Sequence, residues 1–340
     1  MKEKVIIIAE AGVNHNGDIN LAKKLVDAAA DAGADFIKFQ TFKAKNIVTK
    51  TASKAKYQIL NSINNESQYE MLKKLELSET NHNELINHCN KRNIHFFSTA
   101  FDCEGLEYLN NLDLDFFKIP SGEITNFPYL KKISLIGKPV ILSTGMCNMQ
   151  EIDAAVKLLL SEKLKIEDIT ILHCNTEYPT PMIDVNLKAM ISIKKKFNVK
   201  VGYSDHTLGI EIPIAAVAMG AKVIEKHFTL DRNLDGPDHA SSLEPDELSL
   251  MVKSIRNVEL ACLGNGLKIP SKSEIKNIKI VRKSMHIVRN MKKGQIINEN
   301  DVAVLRPNNG LNPMEWNKVI GKKLTKNIRR GDCLTWDYIT

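Results

Sequence analysis

Through residues 1–262 the chain repeats one pattern: a short apolar run, then a longer stretch with apolar positions three and four apart. The short runs read as strands and the longer stretches as helices. Strands are predicted at Val5–Ala9, Phe36–Phe39, His95–Ser98, Phe116–Ile119, Val140–Leu142, Thr170–Leu172, Val199–Tyr203 and Lys222–Glu225. Helices are predicted at Ile19–Ala32, Ser78–Arg92, Glu104–Leu112, Pro128–Ile136, Met149–Ser161, Asn186–Lys196, Ile210–Gly220 and Pro245–Cys262. Asp18 is placed to cap the first helix and Gly33 to end it. Eight strand–helix alternations predict an α/β chain closed into a (β/α)8 TIM barrel. The competing architecture is an open doubly wound sheet. The count of eight favours closure, and no GxGxxG follows the first strand.

The alternation stops after Cys262. Residues 263–280 are polar, carry Gly and Pro, and read as a linker. Residues 281–340 hold short apolar pieces between turns, including Lys292-Lys293-Gly294 and Arg329-Arg330-Gly331. They predict a small, turn-rich β domain of about 60 residues, which buries little core alone and calls for a partner surface. The expected domains are therefore 1–262, a linker over 263–280, and 281–340. Thr41–Glu76 is a long insertion after the second strand, and loops of that size are usually functional.

Composition narrows the function classes. The chain is 43% hydrophobic and 26% charged, ordinary for a soluble globular protein. Its net charge of +7 is spread rather than striped, which argues against a nucleic-acid partner and suits a small anionic substrate. Six cysteines form no CxxC pair, so free thiols in a reducing cytosol are expected. No apolar run approaches the ~18 residues of a membrane span, and the N-terminal run is too short for a signal peptide. A cytoplasmic protein without a membrane partner is the expectation.

Chemistry gathers where the strands end, the active-site face of such a barrel. Strand one leads into Glu10 and Asn14-His15-Asn16, and strand two carries Lys38 and Gln40. Strand four gives Lys118, then Ser121-Gly122-Glu123; strand five gives Ser143; strand six gives His173-Cys174-Asn175 and Tyr178. The stretch Lys200 to His239 is the densest. It reads as strand, crossover helix and strand, with His206 and His227 at the two strand ends and Asp205, Glu225, Asp238 and His239 nearby. Two imidazoles beside carboxylates suit a divalent metal with open positions, with His239 as a further candidate ligand. Lys38 and Lys118, with Ser121 and Ser143, suit a phosphate and a carboxylate; an ion pair with Glu10 or Glu225, or an imine-forming lysine, are the other readings. Glu123 is either an acid–base group or a helix-cap partner.

Several stretches together resemble the bacterial N-acetylneuraminate (sialic acid) synthase family. They are EAGVNHNG (10–17), FIKFQTFKA (36–44), KIPSGEI (118–124), ILSTGM (141–146), LHCNTEYPTP (172–181), GYSDHTLG (202–209), EKHFTLDRNLDGPDH (225–239) and RPNNGLNPMEW (306–316). The resemblance implies a barrel followed by an antifreeze-like (SAF, β-clip) domain. It implies condensation of phosphoenolpyruvate with an open-chain N-acetylated hexosamine and water, giving a nine-carbon 2-keto sugar acid and phosphate for cell-surface glycans. N-Acetylmannosamine is the expected sugar. The alternative is 2,4-diacetamido-2,4,6-trideoxymannose, which would make the chain an N,N′-diacetyllegionaminate synthase.

Residue by residue, the resemblance implies that His206 and His227 hold Mn2+, with Mg2+ or Co2+ as alternatives. Lys38, Lys118, Ser121 and Ser143 would bind phosphoenolpyruvate. Glu10, Glu123 and Asp238 would contact reacting hydroxyls or move protons. Asn175 and Tyr178 would lie beside the sugar. Arg306 would reach into the partner subunit's barrel, which requires a domain-swapped homodimer. A pyruvate-using metal aldolase and a non-catalytic carbohydrate-binding protein are the rival classes; the polar groups at nearly every strand end argue against the latter.

Overall fold

The computed structural model describes residues 4–55, 58–59 and 66–340. The chain forms two compact units, residues 1–263 and 264–340.

In the first unit eight parallel strands close in sequence order. They are β1 (Ile6–Gly12), β2 (Phe36–Thr41), β3 (His95–Ala100), β4 (Phe117–Ile119), β5 (Val140–Ser143), β6 (Ile169–Cys174), β7 (Lys200–Asp205) and β8 (Val223–His227). β8 pairs back onto β1, so the predicted barrel is closed. The helices start at polar caps. Asp18 accepts from the Asn20 amide, Ser78 and Asn81 form a reciprocal pair, and Asn148 and Glu151 another. Gly33, at φ +78°, follows the first helix in the left-handed conformation that glycine adopts without strain.

The observed strands outrun the apolar runs at their C-terminal ends. The apolar run of β1 ends at Ala9, yet the ladder continues through Glu10, which pairs in register with Lys38 on one side and His227 on the other. Thr99 pairs with Lys118, and Ser204 with Glu225. Hydrophobicity fades where the strands turn polar to build the site, while the backbone ladder continues.

The insertion is an element of its own. It holds short helices at Ala44–Ile47 and Gln68–Lys74, the latter opened by a Ser67–Glu70 capping box. A satellite cluster of Val13, Phe42, Met71 and Leu75 fastens it to the barrel. Gly17 touches it so closely that a Cβ there would lie 2.4 Å from the Lys74 carbonyl oxygen.

Strand alternation sends neighbouring residues to opposite sides of the barrel wall. Glu225 and His227 face inward, so Lys226 faces the layer between strands and helices. There it is fully buried and donates to Asp205 at 2.5 Å and to the Thr207 carbonyl. The sequence reading placed Asp205 near the metal site; the structure puts it on the outer side of β7, opposite Lys226 in register. Burial pushes the Asp205 carboxyl up and the Lys226 ammonium down, and their pairing limits both shifts.

The second unit is built on the antiparallel pair β9 (Ser284–Ile287) and β10 (Val302–Leu305), with short bridges between turns. Its core gathers Met285, Ile287, Val302, Leu324 and Leu334 among others. The stretch read as a linker carries a helix at Lys272–Val281, opened by Ser271 and Glu274. All six cysteines are free. Among the described residues no helix is long and apolar enough to cross a membrane.

Lys226→Ala leaves the Asp205 carboxylate buried without its cation. The expected cost is about 3–5 kcal/mol, read as a drop in the urea midpoint of the barrel. The double variant Asp205→Asn/Lys226→Met should recover most of it. An unchanged midpoint in the single variant contradicts the pairing.

Candidate active site

Two cavities open at the C-terminal ends of the strands and share a rim. The first, about 240 Å³, is polar and lies over the barrel centre. Glu10, Lys38, Thr99, Lys118, Ser121, Ser143, Ser204 and Glu225 line it. The second, about 310 Å³, lies toward the insertion and is lined by Glu123, Asp238 and a set of apolar side chains. Gln40, Phe101, Tyr178 and His227 line both. A larger cleft of about 670 Å³ lies at the opposite end of the barrel, against Val5, Lys222, Arg256 and Leu260. It lacks the convergent acid, base and hydroxyl groups of the first two, so volume alone does not locate the site.

In the polar cavity Glu225 bridges both lysines. Lys38 lies 2.9 Å from one carboxylate oxygen and Lys118 lies 3.1 Å from the other. Ser204 donates to Glu225 at 3.2 Å. Lys38 is also 3.4 Å from Glu10, which accepts from Gln40 at 3.4 Å. Burial would raise the Glu225 carboxyl, but Lys118 and Lys38 outweigh it and hold the group far below the usual carboxylate range. Burial pushes Glu10 up to about 8 despite the pull of Lys38. Glu10 and Glu225 raise Lys38 against its burial, whereas burial lowers Lys118, and a small anion beside the pair would favour the ammonium form of both. The ion-pair and anion-site readings of these lysines coincide: Glu225 holds the pair in place.

Hydroxyl groups lie beside this cluster. Ser121 Oγ accepts from the Gly145 amide at 2.9 Å and touches Cys174 Sγ at 3.3 Å. A Cβ on Gly145 would come within 2.9 Å of that Oγ and 2.5 Å of Thr176 Cγ2, so the position has no room for a side chain. Ser143 Oγ is buried with no hydrogen-bond partner among the described residues. Such a group implies a ligand or water to complete it.

The histidines stand at the rim. His206 and His227 have ring centroids 5.5 Å apart. His206 Nδ1 donates to the Asn175 carbonyl, which fixes the tautomer and leaves Nε2 as the lone-pair nitrogen. That nitrogen accepts from the Tyr178 hydroxyl at 3.0 Å, with the Tyr178 ring stacked at 4.1 Å. His227 Nδ1 is buried without a hydrogen bond among the described residues, and Asp238 Oδ2 lies 3.9 Å from it. Burial lowers His206 to about 4 and holds His227 well below its ordinary value, so both rings are neutral at pH 7. Two facing neutral imidazoles, one with its second nitrogen held by a backbone carbonyl, fit a divalent ion that keeps open positions. Among the described residues no group of three or more His, Cys, Asp and Glu side chains is arranged to hold a metal ion.

Asp238 and Glu123 line the second cavity. Burial raises Asp238 to about 6. Burial also raises Glu123, partly offset by Asn126, which donates to it at 2.5 Å. Asn126 in turn caps the helix Phe127–Ile136, so Glu123 serves both the cap and the cavity.

Two sequence candidates are held otherwise. The Asn175 side chain turns into its own loop, accepting from the Glu177 amide at 2.8 Å, and its contribution to the site is the carbonyl on His206. His239 is bonded to Thr229 at 2.6 Å and Asn16 at 3.3 Å, which occupies both ring nitrogens. Arg306 lies exposed in the second unit and donates to the Val281 carbonyl at 2.8 Å. Residues the sequence reading did not single out are Thr99 and Phe101, both lining the polar cavity. Thr99 is on β3, whose aromatic run hid its polar end.

Glu10 makes stability depend on pH. Its carboxyl binds a proton more tightly folded than unfolded, so this stabilisation is full below about pH 4.5 and lost as pH rises toward 8. Glu10→Gln is expected to flatten the fall in urea midpoint across that window. The same fall in variant and wild type would contradict a protonated Glu10.

A family model described as the NeuB family matches residues 25–268, and one described as the SAF domain matches residues 282–340. The N,N′-diacetyllegionaminic acid synthase of Campylobacter jejuni is 55% identical over 98% of this chain and 99% of its own. The protein of the same name from Legionella pneumophila is 48% identical over 98% and 94%. Among solved structures, the N-acetylneuraminic acid (sialic acid) synthetase of Leptospira borgpetersenii, in complex with citrate, is 38% identical with a TM-score of 0.70, covering 81% of this chain and 90% of that one. The chain therefore belongs to the NeuB family, a TIM barrel followed by a SAF domain.

Proposed function

We propose that the chain is a nonulosonic acid synthase. It condenses phosphoenolpyruvate with an open-chain N-acetylated hexosamine and water, and releases phosphate. The observation that carries this reading is the pair of adjoining cavities, one cationic and one neutral to acidic, meeting at His227, Tyr178, Gln40 and Phe101. A condensation needs two unlike substrates that touch at one edge.

Lys38, Lys118, Ser121, Ser143 and the Gly145 backbone hold the phosphate and carboxylate of phosphoenolpyruvate. C3 of the enol forms the new bond to the aldehyde carbon of the sugar, and the aldehyde oxygen takes a proton to become a hydroxyl. Water adds to the electron-poor C2 and gives up a proton. Collapse to the ketone breaks the C2–O bond, and phosphate leaves. Asp238, near 6, and Glu123 face the sugar and exchange protons there, while Glu10 keeps its proton beside the phosphate site. His206 and His227 are the ligands of a divalent ion, Mn2+ in first place. Bound there, it supplies Lewis-acid polarisation of the aldehyde.

The diacetamido 6-deoxy sugar is the first candidate, because both relatives near half identity are named N,N′-diacetyllegionaminic acid synthases. N-Acetylmannosamine is the second, favoured by the 38%-identical sialic acid synthetase. The resemblance also supports a cytoplasmic, domain-swapped homodimer in which Arg306 completes the sugar site of the partner.

A phosphate-release assay with phosphoenolpyruvate, Mn2+ and each sugar tests the reading. One phosphate per sugar acid is expected, and none with pyruvate; no release with either sugar contradicts it. His206→Ala and His227→Ala should each abolish turnover and Mn2+ binding while keeping the far-ultraviolet spectrum. Near-wild-type activity in either removes the metal assignment. Arg306→Ala should raise the sugar KM with little change in the KM for phosphoenolpyruvate; an unchanged sugar KM rejects its role.

A further inference from the structure

The two cavities differ in chemistry as well as place. The polar one is walled by charged and hydroxyl groups. Val13, Phe42, Ile47, Met71 and Leu72, none of which lines the polar cavity, wall the far side of the second. Among the described residues its polar groups other than the rim residues are Glu123 and Asp238, beside the reacting end, and Gln58 and Gln68 on the insertion. Gln68 donates to Gln58 at 3.4 Å. The cavity therefore has an acidic mouth and a largely apolar end that also carries the Gln58–Gln68 pair.

That end is built rather than incidental. Met71, Leu72 and Leu75 fall on one side of the helix Gln68–Lys74, and Met71 and Leu75 are buried in the cluster with Val13 and Phe42. Glu76 accepts from the Ala44 amide at 2.9 Å, tying the two insertion helices together. The close contact between Gly17 and Lys74 ties them to the loop after β1. Leu72 and Ile47 are only partly buried, and both line the cavity.

We propose that this apolar wall is the specificity element of the sugar site, taking the C6 methyl of a 6-deoxy hexose and disfavouring a C6 hydroxyl. The proposal rests on the synthase reading above. With the aldehyde carbon at the shared rim, the far end of the open chain, C5 and C6, extends toward the wall. A methyl gains from apolar contact there, whereas a hydroxyl against those apolar side chains loses water and gains no hydrogen bond from them. Sequence periodicity alone did not show this, because Phe42, Ile47 and Met71 come from separate pieces of the insertion.

The test compares three aldoses with the wild-type chain under saturating phosphoenolpyruvate and Mn2+. They are 2,4-diacetamido-2,4,6-trideoxymannose, the same sugar with its C6 hydroxyl restored, and N-acetylmannosamine. Restoring the hydroxyl alone is expected to lower kcat/KM by about 10–100-fold, the discrimination an apolar pocket gives against an added hydroxyl. The KM for phosphoenolpyruvate should not move. Leu72→Gln and Ile47→Asn should narrow the ratio between the first two sugars, and a ratio does not depend on how much of a variant is folded. A wild-type ratio near one, or a preference for the hydroxylated sugar, overturns the proposal. So does an unmoved ratio in both variants. Phosphate release with none of the three overturns the synthase reading itself, and this one with it.

Discussion

One carboxylate, Glu225, holds two buried ammonium groups, and the active face depends on that contact. A barrel interior is ordinarily filled by branched apolar side chains. Here the upper layer is replaced by Glu10, Lys38, Lys118 and Glu225, all nearly inaccessible. Each charge costs desolvation that only pairing offsets. Glu225 is ion-paired with Lys38 through one oxygen and accepts from Lys118 and Ser204 on the other, which holds both lysine heads over the barrel centre. Glu10 meets the same constraint by keeping its proton. The result is a buried cluster of paired charges and hydroxyls whose place is set by the strands themselves.

The same wall carries opposite roles on its two sides. Along β8, Glu225 and His227 face the site while Lys226 faces the helices. Along β7, Ser204 faces Glu225 while Asp205 faces Lys226. The outer ion pair fixes the register of the two strands that carry the histidines. The inner charge cluster and the outer pair are thus two uses of one strand alternation.

Much of this was legible in the sequence. All eight strands and their helices follow from the apolar runs, because burial on both faces keeps those runs nearly continuous. The polar strand ends marked Glu10, Lys38, Lys118, His206 and His227, since an enzyme barrel collects its groups there. What was not legible has physical causes. Asp205 sits next to His206 in sequence, yet points away from it, and adjacency says nothing of which side of the wall a residue faces. Asn175 acts through its carbonyl, and a backbone group leaves no trace in a side-chain pattern. Thr99 hid behind two phenylalanines of β3. The helix Lys272–Val281 buries no residue, so its apolar positions looked like linker.

The central claim is that the lysine pair on Glu225 is the seat of phosphoenolpyruvate. Calorimetric titration of phosphoenolpyruvate into the Mn2+-supplied protein, without sugar, tests it most directly. The account predicts one binding event per chain, weakened about 10–100-fold in Lys38→Met and in Lys118→Met through the loss of a charge-assisted hydrogen bond. Unchanged affinity in both folded variants would contradict it.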